Sequence, residues 1–240
     1  MRNELTTELR KILVGRGLLC TVAIGLGLIA MAGVGTVQTL SEKGTTGGAA
    51  AEAIIRQGFA GLLFATIAGS LLVTGEYRHR TWTRTYLTSP RRGRVLAAKA
   101  VAAFLVGVPI GVLSVTTSTL VATLSAHTPT YTGELVRLTV MIVVITALAG
   151  PWGVALGYVI RNQVATVLAV VAYTTGVEAV LIVVVPSFGR FLPGGAQLSL
   201  LHDPELTMPL AAWASIPLLL GYIGAALACG LWREKSSETL

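Results

Sequence analysis

Charge is scarce in this chain, and the scarcity decides its class. Of 240 residues only 12% are Asp, Glu, Lys or Arg, against 53% that are hydrophobic. Soluble domains carry about 25% charged residues. So few charges cannot solvate a globule of this size, and most of the surface must face lipid. Cysteine is almost missing: Cys20 and Cys229 both fall in apolar runs, which excludes a disulfide framework, and no CxxC or His/Cys cluster suggests a metal. The three histidines, His79, His127 and His202, lie outside the apolar runs, and no G-x-S-x-G occurs. A serine or metal hydrolase working within the bilayer would lack its base or its ligands. No lysine follows a glycine, so there is no G-K-[ST] and no Walker A loop. The chain is not read as an enzyme, and no catalytic residue or metal ligand is assigned.

What is present is a set of long apolar runs. A membrane span needs about 20 apolar residues. Six stretches qualify, at about 18–40, 55–74, 95–125, 138–160, 164–186 and 209–231. The third is longer than a crossing needs, so it tilts, kinks at Pro109 or extends beyond the bilayer. Ser89 and Pro90 suit the N-cap and first position of its helix. Ala30-Met31-Ala32 fits a signal-peptidase pattern, but the run continues to about Leu40, and a signal h-region is only about 7–15 residues long. Trp213 and Trp232 lie near opposite ends of the last run, as interfacial aromatics do. The Gly/Pro-interrupted spots, Gly107-Val-Pro109-Ile-Gly111 and Gly150-Pro151-Trp152-Gly153, do not occupy matching places in two halves, so no inverted repeat is visible. The G-x-x-x-G spacings at Gly107/Gly111 and Gly153/Gly157 allow close helix approach, read as packing within the subunit.

The net charge of +7 resembles a nucleic-acid signal until its distribution is read. The basic residues sit at the ends of apolar runs, as membrane orientation demands, and no nucleic acid is expected. With the N-terminus inside, the cytoplasmic segments collect Arg2, Arg10, Lys11 and Arg16, then Arg78, Arg80, Arg84, Arg91, Arg92, Arg94 and Lys99, then Arg161, Arg233 and Lys235. The opposite side collects Lys43, Arg56, Arg137 and Arg190. The split of 14 to 4 predicts N-in, C-in. At the N-terminus, Leu5, Leu9, Ile12 and Leu13 follow helical spacing while Arg10, Lys11 and Arg16 lie elsewhere on the wheel. This predicts an amphipathic helix over 1–17 on the inner membrane surface. The fold class is therefore an all-α membrane protein: one six-span domain over 18–232, an N-terminal interfacial helix, a basic loop over 75–94, an outer segment over 186–208 and a tail over 233–240.

Two residues stand out within the spans. Glu178 is an acid in the fifth, where a charge costs on the order of 3 kcal/mol, so it should face protein or water. It is either a substrate or proton contact, or an acid hydrogen-bonded to a neighbouring helix or hydrated near the outer interface. Pro186 lies eight residues on, about 12 Å along a helix. Trp152, mid-span beside Pro151, either lines a cavity or packs. Both are candidates for a substrate pathway.

The pattern of Glu76-Tyr77-Arg78, a polar and aromatic stretch, Ser89-Pro90-Arg91 and a lysine in the next span resembles the membrane subunit of ATP-binding-cassette exporters of type-two permease architecture. The outer segment PSFGRFLPGGAQLSLL at 186–201 is similar to that family's short helices between the last two spans. The resemblance implies a permease subunit in a bacterial plasma membrane, paired with a second copy or a paralogue. It moves a hydrophobic or amphipathic substrate such as a drug, peptide antibiotic or lipid. It also implies that the 75–94 loop is a coupling helix docking on a separate ATPase subunit. That partner binds ATP and Mg, so this chain needs no cofactor. The coupling residues would be Glu76, Tyr77, Arg78, Arg80, Trp82, Arg84 and Tyr86, with Trp82 and Tyr86 as apolar anchors one turn apart. Alternatives are an ATPase-independent secondary transporter or channel-like protein, a membrane anchor for a cytoplasmic complex, and, for the loop alone, arginines that only set orientation and touch anionic lipid.

Overall fold

The computed structural model describes residues 5–8, 16–78, 92–125, 127, 129–130, 132–204 and 206–236, and these are helical throughout with short connections and no strand. The helices are α1 (Arg16–Glu42), α2 (Gly48–Arg56), α3 (Gly61–Arg78), α4 (Arg92–Leu124), α5 (Gly133–Ile160), α6 (Gln163–Val171), α7 (Ala179–Val184), α8 (Pro186–Gly189), α9 (Pro193–Leu200) and α10 (Ala212–Ser236). A 3₁₀ turn, Gln57–Ala60, joins α2 to α3, and a π-helical segment, Ala172–Glu178, joins α6 to α7. Six helical stretches are long and apolar enough to cross a membrane: Gly17–Glu42, Gly48–Arg78, Gly93–Leu124, Gly133–Ile160, Gln163–Val184 and Ala212–Arg233. They mark a multi-pass membrane protein.

Two spans start earlier than their apolar runs, for local reasons. The fourth begins at Gly133 because Thr132 caps it, its side chain accepting from Leu135 N at 3.3 Å. The second begins at Gly48 because Glu52 and Arg56, which interrupt the run, pair one turn apart at 2.9 Å. The third helix is unbroken through Pro109, and the fourth runs through Pro151.

The spans do not share the burial equally. The second, third and fourth are 56–61% buried over their most apolar window, whereas the first, fifth and sixth are only 11–17% buried. Spans two to four are thus a core, and the other three flank it with apolar faces outward. Small residues make the core possible. A methyl group at Gly153 would overlap the Thr66 carbonyl oxygen, and one at Gly69 would overlap that of Gly150. Backbones meet directly, which in a membrane substitutes dispersion contact for the missing hydrophobic force between helices. Gly107 and Gly111 face α5, and Gly153 and Gly157 face α3, so both G-x-x-x-G pairs pack within the chain.

The bundle has two distinct ends. At one, here called basal, residues 5–8 and the ends of α3, α5 and α10 meet the starts of α4 and α6. The other, distal end holds α2, α8, α9 and the connection after Leu124. Of the segment expected to form an N-terminal amphipathic helix only residues 5–8 and 16–17 are described, and they are helical. Leu9, Ile12 and Leu13 lie outside the described residues, as do Ser89 and Pro90.

Candidate functional site

The basal end carries a buried ion cluster. Lys99 lies two turns into α4 and is completely buried. Its ammonium donates to Glu8 Oε2 at 2.8 Å, to Glu76 Oε1 at 2.7 Å and to the Leu72 carbonyl at 3.3 Å. An ammonium has three donors, and all three are used. Glu8 comes from the N-terminal segment, Glu76 from the last turn of α3. One lysine therefore fastens three separate chain segments, two of which bound the 79–91 loop. Leaving any member of such a buried set unpaired costs about 3–5 kcal/mol.

The two residues after Glu76 are also held within the chain. The Arg161 guanidinium sits 5.6 Å from the centre of the Tyr77 ring, a cation–π contact. Arg78 donates from Nη1 to Gln163 Oε1 at 3.3 Å. Glu76, Tyr77 and Arg78 thus staple the end of α3 to α4, to the α5–α6 turn and to α6 in succession. The remaining coupling candidates, Arg80, Trp82, Arg84 and Tyr86, lie outside the described residues.

At the distal end Glu178 is buried and accepts a hydrogen bond from Gly194 N, in the first turn of α9. The helix that carries it widens into a π segment over the turn ending at Glu178. The contact requires glycine, since a Cβ at Gly194 would lie 2.8 Å from the carboxyl carbon of Glu178. The other end of α9 is met by arginines. Arg56 donates to the Leu201 carbonyl at 3.0 Å and Arg137 to the Leu200 carbonyl at 2.9 Å. An acid at the N-terminus and cations at the C-terminus oppose the helix dipole at both ends. Each arginine also pairs with an acid on its own helix, Arg56 with Glu52 at 2.9 Å and Arg137 with Glu134 at 3.1 Å. Glu178 therefore faces protein and serves to seat α9.

Trp152 packs edge-to-face on Tyr222 of α10, ring centres 6.3 Å apart and planes at 78°. It lines a cavity of about 10 Å³ with Pro193, Gln197, Leu219, Tyr222 and others, room for roughly one water. Pro193 and Gly194 are adjacent, so Trp152 and Glu178 approach the same turn of α9 from two sides. Glu178 is not among the residues that line this cavity.

Among the described residues no group of three His, Cys, Asp or Glu side chains is placed to hold a metal, and Cys20 and Cys229 are free thiols. Glu8 escaped the sequence reading, and Lys99 entered as an orientation charge and as part of the family pattern, not as a buried ion. The usable signal was Lys99 itself: a lysine among Ala and Val at the head of a span needs a counter-ion. Comparison with protein-family models finds no match, and comparison with curated proteins finds none.

Proposed function

We propose that this chain is the membrane-spanning permease subunit of an ATP-driven exporter, oriented N-in and C-in. It works as a pair with a second copy or a paralogue and is driven by a separate ATPase docked on the 75–94 loop. The observation that carries this reading is the Lys99 cluster. A loop that transmits movement from a partner must be anchored to the helices it moves. Here the span ends on both sides of 79–91 are tied to each other and to the N-terminal segment through one buried ammonium. A loop that only set orientation needs charge, not a fastening.

The tight core supports the second copy. Spans two to four leave no room between their backbones, so a substrate path lies along the flanking helices and is closed by a partner. The apolar, charge-poor faces of spans one, five and six suit a hydrophobic or amphipathic substrate. The ATPase-independent reading would be favoured by several intramembrane charges or a repeat, and Glu178 is engaged with Gly194.

The test is co-purification of the full chain with a Walker-A ATPase and assay of ATP hydrolysis in the complex. Truncating a buried aromatic anchor costs about 2 kcal/mol, roughly thirtyfold in affinity. Trp82→Ala with Tyr86→Ala should abolish the ATPase association and substrate-stimulated hydrolysis while the membrane domain stays folded. A tight ATPase complex persisting in that double variant overturns the coupling assignment.

A further inference from the structure

Three arginines converge on the α5–α6 turn at the basal end. Arg161 stands in the turn with a left-handed backbone, φ 60°. That conformation costs a non-glycine residue roughly 1–2 kcal/mol. Its Nε donates to the Tyr158 carbonyl at 3.3 Å, and its Nη2 is buried with no protein acceptor. Arg78 reaches Gln163 just past the turn, and Arg233, near the end of α10, donates to the Val159 carbonyl. All three anchor within residues 158–163. Among the described residues none of them meets a carboxylate, whereas Lys99, Arg56 and Arg137 each do.

Three like charges gathered at the rim of an apolar bundle call for an anion. The N-terminus of α6 opens at the same place, Asn162 capping it by accepting from Ala165 N at 3.0 Å, and adds the positive end of a helix dipole. Two observations set the depth and nature of the occupant. Trp232, beside Arg233, is exposed, and tryptophan marks the membrane–water interface. Val164 and Leu168, one turn apart on α6, are exposed and form an apolar ridge running away from the turn. A free phosphate would have no use for that ridge; acyl chains would. We propose that this turn binds the phosphate headgroup of an anionic phospholipid, held by Arg78, Arg161 and Arg233, with the acyl chains along Val164 and Leu168. The site shares Arg78 with the proposed coupling set but does not depend on the exporter reading.

The experiment places the full chain in nanodiscs of phosphatidylcholine, alone or mixed with dioleoylphosphatidylglycerol, and counts the lipid retained by native mass spectrometry as phosphatidylglycerol is titrated. The wild-type chain should retain phosphatidylglycerol in preference to phosphatidylcholine. Arg78→Gln, Arg161→Gln and Arg233→Gln together should weaken retention roughly a hundredfold, from one lost interfacial contact per arginine. Arg233→Gln alone, at an exposed helix end, should lose several-fold and serves if the triple variant does not fold. Lys43→Gln removes an exposed charge at the distal end and should change nothing. Several results would overturn the proposal: equal retention of phosphatidylcholine, unchanged binding in both arginine variants, or an equal loss in the Lys43 control. Displacement by inorganic phosphate alone would make it a free-anion site. Loss of ATPase capture with phosphatidylglycerol binding intact would make it a protein-docking surface.

Discussion

Lys99 is the residue on which most depends. Lys99→Met removes the ammonium that buried Glu8 and partly buried Glu76 share. The loss should be about 3–5 kcal/mol, read as a fall in thermal unfolding temperature in detergent. Adding Glu8→Gln and Glu76→Gln to Lys99→Met should restore much of it, because an uncharged set has no desolvation debt. If the single variant is as stable as wild type, the cluster carries no structural load. Glu178 illustrates how far one sequence reaches at this scale. Its insertion cost implies an acid facing protein or water, yet nothing in a linear pattern could name Gly194 as its donor. That pairing depends on how the chain folds back after Pro186.

At the scale of helices, the close packing of α3 on α5 makes a sharp prediction. Gly153→Ala must push α5 away from the Thr66 carbonyl, and overpacking of this kind costs about 1–3 kcal/mol or more when backbone is the obstacle. Gly224→Ala on α10, where a methyl group meets nothing within 4 Å, is the matched control and should be neutral or slightly stabilising. Thermal stability of the two variants side by side decides it. The spans were largely legible because twenty apolar residues in a row admit few alternatives. Their ends were less so. Thr132 starts the fourth helix five residues before its apolar run, and the Glu52–Arg56 pair extends the second across residues that hydropathy alone discounts. The segment over 186–201 is read from the resemblance as short helices, and α8 and α9 lie there, but nothing in the sequence names what docks α9. Its docking rests on Arg56 and Arg137, which entered the sequence reading as mere charges on the outer side.

For the whole molecule, the proposed orientation follows from a 14-to-4 division of basic residues. It can be checked in a background where Cys20 and Cys229 are serine. A cysteine at Ser41 or Thr130, both exposed near the distal end, should react with an impermeant thiol reagent applied to intact cells. A cysteine at Thr83 should react only after the membrane is opened. Labelling of Thr83 from outside reverses the assignment of inner and outer faces and removes the 75–94 loop from reach of a cytoplasmic ATPase. Burial separates core spans from flanking ones in a way the sequence did not reveal. All six runs are comparably apolar, and what distinguishes the packed three is close backbone approach: Gly69 on Gly150, Gly153 on Thr66, Gly150 on Ala103 and Gly107 on Thr146 and Ala147.

The burial of the Lys99 ammonium also gives it a chemical silence. The chain has four lysines, Lys11, Lys43, Lys99 and Lys235. A nitrogen whose three N–H groups are each held by a separate acceptor, and which no reagent can reach, cannot be acylated. In the folded protein Lys99 should stay unmodified by an amine-reactive ester that readily marks exposed Lys43. It should become reactive when the segment bearing Glu8 lifts from the bundle. Mass-spectrometric mapping of that one adduct over time would report detachment of the N-terminus as a rate, without any label having been engineered in.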